Sequence, residues 1–140
     1  MEGPTESRRR EQQQILIVDD NEDHRIILKY NLIKIGNFAV YEVADGQHAL
    51  EAVTDGTLDL IFMNLDLPIL NGWETTRRIR ALSPPKGKIP IIAFTAYSLP
   101  DMEDLARSAG CNEYLMKPVV NRDALAKTIT RLLSKEKNSL

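Results

Sequence analysis

"DLIFMNLDLPILNGW", residues 59–73, decides how this chain folds. Leu60 to Met63 is an unbroken apolar run with no polar alternation. That composition suits a strand covered on both faces, as in a parallel sheet. Asn64 ends the run and Leu65-Asp66 follow it. Pro68 then argues against further strand, Asn71-Gly72 makes a turn, and Trp73-Glu74 begins a helix.

The same alternation repeats on either side. "ILIVDD" (15–20) and "AVYEVA" (39–44) read as strands, as do "IPIIAFTA" (89–96) and "EYLMK" (113–117). Between them lie helical patterns. "DHRIILKYNLIKIG" (23–36) carries Ile26, Ile27, Tyr30 and Ile33 at helical spacing and stops at Gly36. "GQHALEAVTDG" (46–56) closes at Gly56, "GWETTRRIRAL" (72–82) ends before Pro84-Pro85, and "PDMEDLARSAG" (100–110) runs from Pro100 to Gly110. "NRDALAKTITRLLSK" (121–135) is a last amphipathic helix with Asn121 as its N-cap. Five strand–helix units with right-handed crossovers predict an α/β domain, an open doubly wound parallel sheet with helices on both faces.

The 140 residues fit one such domain. We expect a flexible arm at 1–13, the domain at 14–135 and a polar tail at 136–140. Lys and Arg number 18 against 20 Asp and Glu, so the charge of -2 gives no general pull toward nucleic acid or an anionic membrane. No apolar run is long enough to span a bilayer, and the N-terminus lacks the apolar segment of a secretory signal. The single cysteine, Cys111, reads as a small buried hydrophobe in a reducing, cytoplasmic setting. Arg8, Arg9 and Arg10 read as a solvated basic run.

Ligands of such sheets sit outside the carboxyl ends of the strands. Those ends carry Asp19-Asp20, Ala44-Asp45, Asn64-Leu65-Asp66, Thr95-Ala96 and Lys117-Pro118. Hard carboxylate oxygens suit Mg²⁺, and a hydroxyl with a lysine suits phosphoryl oxygens. Nothing here offers a Cys/His cluster for zinc, a glycine-rich nucleotide loop or a nucleophilic triad. His24 and His48 fall on predicted helices and are read as surface residues away from the rim.

With these motifs in order, the chain from Ile15 to about Ser134 resembles the receiver domain of two-component response regulators. "ILIVDDN" resembles the family's acid-pair strand, and "DLIFMNLDLPILNGWE" resembles the strand and loop of the phospho-accepting aspartate. "IIAFTA" resembles the hydroxyl strand, and "AGCNEYLMKPV" the last strand with its Lys-Pro. The resemblance implies a (βα)5 flavodoxin-like fold with strand order 2-1-3-4-5. It implies Mg²⁺ held by Asp19, Asp20, Asn64 and the backbone carbonyl of Asp66. It implies phosphoryl contacts from Thr95 and Lys117, a cis peptide before Pro118, and a switch that couples Thr95 to Tyr114. It also implies a protein that is not an enzyme but docks to a sensor histidine kinase or phosphotransfer protein and to a downstream protein target. Docking is expected on the first helix near Ile26 and Ile27 and on the loop after Lys117. A homodimer contact is expected on the face of the fourth helix, fifth strand and last helix, with Asp101, Glu103, Arg107, Arg122 and Lys127 as candidates. Since the domain uses nearly all of the chain, a single-domain regulator is expected. The basic helix "TTRRIR" with Lys86 and Lys88 reads as a solvated face or a contact for an acidic partner, and Trp73 as packing or a partner contact.

Asn64 departs from the family, which has aspartate there. A carboxylate attacks phosphorus and forms an acyl phosphate. The amide oxygen is a far poorer nucleophile, because its nitrogen donates into the carbonyl. This form is therefore expected to be non-phosphorylatable and biased to the inactive state. Asp66 is a poor substitute, being two residues on and past the strand end. The alternative is a natural pseudo-receiver that works as a phosphorylation-independent adaptor. The intact Asp19, Asp20, Thr95 and Lys117 favour an engineered block over a natural loss that let the site drift.

Overall fold

The structure, a computed structural model, describes residues 12–96 and 99–138. Most of the expected N-terminal arm, with Arg8 to Arg10, and the last two residues of the expected tail lie outside the described residues. Five strands form one parallel sheet in the order β2-β1-β3-β4-β5. They are β1 Gln14–Val18, β2 Ala39–Val43, β3 Leu60–Met63, β4 Ile91–Thr95 and β5 Glu113–Met116. The helices are α1 Glu22–Ile35, α2 Gly46–Asp55, α3 Gly72–Arg80, α4 Met102–Ala109 and α5 Arg122–Asn138, with a 3-10 turn at Lys86–Lys88. This is the flavodoxin-like order that the resemblance implied.

Strand alternation sorts the core into two layers. Leu16, Val18, Ile61, Met63, Ile91 and Ala93 point to one face, where Ala49, Val53, Ile79 and Ala106 of α2, α3 and α4 cover them. Ile15, Ile17, Leu60, Phe62, Ile92 and Phe94 point to the other, covered by Leu28 and Leu32 of α1 and by Leu125, Ile129, Leu132 and Leu133 of α5. The Phe62 and Phe94 rings meet edge to face at 5.8 Å. Each fully buried aliphatic or phenyl side chain contributes about 1.5–3 kcal/mol relative to leaving it in water.

The apolar spacing noted in α1 marks its outer side rather than the one that meets the sheet. Ile26, Ile27, Tyr30 and Ile33 are 50–63% exposed, while Leu28, Asn31 and Leu32 are buried. The helix has apolar residues on more than one face, so spacing alone did not select the face that meets the sheet. The last helix also runs to Asn138, into the segment expected to be a tail.

Helix starts are capped by side chains that stop the backbone amides from going unpaired. Asn21 accepts from His24 N at 3.0 Å, Asn71 from Glu74 N at 2.9 Å and Asn121 from Ala124 N at 3.0 Å. Asp45 accepts from His48 N at 2.8 Å, and its second oxygen holds His48 Nδ1 at 2.7 Å. The backbone N–H of His48 keeps the Asp45 carboxyl below its ordinary range against the opposing effect of burial. The Asp45 carboxylate in turn raises His48 above 6.5. α3 is seated by Gly72, whose N–H donates to Leu65 O at 3.0 Å. A Cβ there would lie 2.3 Å from Asn64 O and 2.7 Å from Leu65 Cα, so only glycine lets the helix start this close to the end of β3.

Two outcomes follow. Gly72→Ala should lose about 1–3 kcal/mol in urea denaturation, the cost of forcing atoms into a packed site. A variant as stable as the parent would mean α3 can shift freely. His48 is raised on folding, so its contribution is complete below its ordinary value and lost as pH rises through the raised one. Thermal melts of the parent and His48→Gln should therefore differ in mildly acidic buffer and converge in alkaline buffer. Curves equally far apart at both ends would remove the Asp45–His48 pair as the cause.

Candidate functional site

The ladder continues one residue past the strands. Asp19 N donates to Val43 O at 3.1 Å, Asn64 N to Val18 O at 2.9 Å and Lys117 N to Thr95 O at 2.8 Å. Parallel pairing thus sets Asp19, Asn64 and Lys117 side by side at one rim. Thr95, fully buried, ends β4 between them.

Asp19 is 3% exposed, and its carboxylate collects the donors. Oδ1 accepts from Asn21 N at 2.9 Å and from Asn64 Nδ2 at 3.3 Å. Oδ2 accepts from Lys117 Nζ in a close ion pair. Arg25 Nη1 donates to the Asp19 backbone carbonyl at 2.7 Å. Lys117 runs past the Phe94 ring, with Nζ 5.8 Å from its centre. Asn64 is held on both sides: Nδ2 also donates to Asp66 O at 3.3 Å, and Oδ1 accepts from Asp66 N at 3.4 Å. The side chains of Asp20 and Asp66 are exposed at the mouth.

Of the expected site residues, Asp19, Asn64, the Asp66 carbonyl and Lys117 are brought together, with Thr95 behind them. Tyr114 pairs with Ala93 across the β4–β5 ladder and packs, half-buried, on the α2–α3–α4 layer of the core. The Lys117-Pro118 peptide is cis, as the resemblance implied.

One expectation is corrected. His24 is at the rim: its Nδ1 lies 3.1 Å from Lys117 Nζ and 3.8 Å from Asp19 Oδ2. An ammonium has only donors, so Nδ1 accepts in the contact with Lys117. The signal was in the sequence, since a helix capped by Asn21 must keep its first turn beside the acids of β1. Arg77 and Arg78 of the basic helix are about half exposed, as a solvated face, but Arg80 and Lys86 depart from that reading. Arg80 turns inward and donates to Gly110 O at 2.9 Å, Gly87 O at 3.1 Å, Ile89 O at 2.7 Å and Asn112 Oδ1 at 2.8 Å. Burial pulls its guanidinium below the ordinary value. Lys86 Nζ donates to the carbonyls of Val53, Thr54 and Gly56 at 2.7–2.9 Å, closing the C-terminus of α2. Arg78 pairs with Glu74 at 3.1 Å. Trp73 packs against the core, and Cys111 is buried beside Thr76, its thiol pushed up by that burial.

The loop after Asn64 is strained. Ile69 has φ 69° and is 80% exposed, and Leu70 N donates back to Pro68 O at 2.7 Å. That is a γ-turn of the rare, left-handed kind, occupied by a β-branched residue.

The family model for the response regulator receiver domain matches residues 15–130. The chain belongs to that family. Over 107 residues this receiver is 32% identical to the CAI-1 autoinducer sensor kinase/phosphatase of Vibrio cholerae, a match covering 76% of the receiver but only 15% of that protein. It is 30% identical over 101 residues to DivK, a polar-differentiation response regulator of Brucella anthropi, covering 72% of the receiver and 80% of DivK. A solved receiver domain of a Pseudomonas aeruginosa sensor histidine kinase is 35% identical with a TM-score of 0.79. It aligns with 88% of the receiver and 98% of its own chain, and holds magnesium in its active-site cleft. A CheY-like receiver from Methanospirillum hungatei is 26% identical with a TM-score of 0.81, covering 92% of this receiver and 99% of that chain.

The carboxylates of Asp19 and Asp20 and the carbonyl of Asp66 are of the donor type that magnesium takes. Here the oxygens of Asp19 and the carbonyl of Asp66 already face donors of the protein, while the Asp20 carboxylate stays exposed. The Asn64 NH₂ group faces two of those oxygens, and Lys117 holds a third. Among the described residues, no three His, Cys, Asp or Glu groups lie together as a metal cluster.

Asn64→Asp replaces a donor to Asp19 Oδ1 with a second carboxylate. In EDTA this variant should be less stable by about 1–3 kcal/mol, the scale of losing a hydrogen bond to a charged group and setting a second carboxylate beside it. A melt in which the aspartate form is the more stable would show that Lys117 alone neutralises the rim.

Proposed function

We propose that this receiver carries its signal by docking to other proteins, in a form that takes no phosphoryl group at position 64. The orientation of Asn64 supports this reading most directly. Its amide is hydrogen-bonded on both ends to the groups around it, and it has no charge with which to attack phosphorus. The reading is supported further by Asp19 and Asp20 at the acid pair, Thr95 at the end of β4 and Lys117 across the rim. Magnesium binding is weakened by Asn64, to a level that millimolar ion does not reach. The unphosphorylated arrangement of Thr95 and Tyr114 prevails, because a neutral amide does not reproduce phosphoryl charge.

The partners are a sensor histidine kinase or phosphotransfer protein and a downstream protein target. The exposed side of α1, with Ile26, Ile27, Tyr30 and Ile33, supplies the apolar surface for the first of these. The α4–β5–α5 face is the candidate for self-association. Several of its charges are engaged within the chain, however: Glu103 with Arg107 at 3.1 Å and Glu113 with Arg131 at 2.6 Å. Arg122 donates to Asn31 at 3.0 Å and stacks on Tyr30. No helix among the described residues is long and apolar enough to cross a membrane. The proposed place of work is the cytoplasm, where the single unpaired Cys111 thiol stays reduced. The domain has no reaction of its own in this form. Relatives carry the same domain as most of a short protein or as a small part of a sensor kinase, so the reading is of the domain.

The test is phosphoryl transfer from acetyl phosphate in magnesium, read by intact mass on the parent and on Asn64→Asp. Only the aspartate form should gain a phosphoryl group. Gain by neither would favour an adaptor whose pocket has lost the chemistry more broadly, and gain by the parent would place the acceptor elsewhere.

A further inference from the structure

We infer that the side-chain amide of Asn64 stands in for the divalent cation, so that this rim holds itself together without metal. The inference rests on the receiver reading of the site and concerns how that site is regulated. A divalent cation is held by oxygens that would otherwise repel one another, and the family resemblance would give it the Asp19 carboxylate and the Asp66 carbonyl here. Here Asn64 Nδ2 has two N–H bonds to give. One goes to Asp19 Oδ1 at 3.3 Å and the other to Asp66 O at 3.3 Å. One neutral NH₂ group thus bridges, from strand end to loop, two of the oxygens that the family resemblance gives to the metal.

The orientation of the amide is determined by its surroundings. Turned over, it would set Oδ1 against Asp19 Oδ1 and Asp66 O, oxygen against oxygen. It would also set Nδ2 against Asp66 N, which now donates to Oδ1 at 3.4 Å. Three hydrogen bonds would become three repulsions. A magnesium ion would need that inverted amide, or would need the amide to leave. It would also need the lone pairs of Asp19, whose oxygens already accept from Asn21 N, Asn64 Nδ2 and Lys117 Nζ. The amide therefore does two things at once: it supplies the bridging that a cation supplies, and it blocks the cation from the same oxygens. The chain should keep one rim geometry, and one docking surface, whether magnesium is present or chelated.

Thermal melts in EDTA and in millimolar magnesium chloride test this on the parent, Asn64→Ala and Asn64→Asp. The parent melt should not move between the two buffers. Asn64→Ala should melt lower than the parent in EDTA and recover in magnesium, because removing the amide both unbridges the oxygens and frees them. Asn64→Asp should gain at least as much. In parallel, the side-chain NH₂ resonances of Asn64 in the parent should stay at the same shifts throughout a magnesium titration. That readout does not depend on either variant folding. A parent melt raised by magnesium as far as that of Asn64→Asp, or Asn64 resonances that move with the ion, would overturn the inference. Gain by Asn64→Asp with none by Asn64→Ala would overturn it too, since the block would then be a missing carboxylate rather than a present amide. Gain by neither variant would instead count against the receiver reading of the rim.

Discussion

A carboxylate that is nearly out of water must be met by donors, and Asp19 is the one on which this molecule is arranged. Stranded without partners, a buried charge of this kind would cost several kcal/mol. Asp19 avoids that by drawing on Asn21 at the head of α1, Asn64 past the end of β3 and Lys117 past the end of β5. Three strands and a helix thus converge on one side chain. The same residues that solve the solvation of Asp19 line the rim, so the stability of the site and its geometry have a common origin.

Around that point the sheet acts as a ruler. Parallel register fixes which residues of neighbouring strands stand level, and two apolar layers keep the register from slipping by one residue, which would turn each strand inside out. Behind the rim, basic side chains do what a surface reading would not assign to them. Arg80 gathers carbonyls from the turn before β4 and from the loop before β5, and Lys86 closes α2. Both convert charge into scaffold, and Arg80 leaves the α3 surface less basic than its sequence suggests.

The strands were the most legible part of the sequence, because a residue run that is apolar on both sides leaves little choice but a covered parallel sheet. The rim was legible for a related reason: strand ends in such a sheet must share an edge, so Asp19, Asn64, Thr95 and Lys117 could be placed together before any coordinates. What escaped reading depended on direction rather than position. The apolar residues of α1 lie on more than one face, and only the packing of Leu28 and Leu32 against β1, β3 and α5 separates the inner stripe from the outer one. His24 was set aside as a helix residue although its turn adjoins the acids. Arg80 and Lys86 were counted as surface charges, because spacing does not say which carbonyls lie within their reach.

Ile69 carries a consequence of another kind. Its left-handed γ-turn costs free energy that the fold as a whole has already absorbed, and the loop is fastened on either side by the buried Leu67 and by the Asn71 cap of α3. The turn lifts Ile69 into solvent as an apolar projection in the loop after Asn64. A partner that covered it would gain the transfer of that side chain out of water, about 1.5–3 kcal/mol if burial were complete.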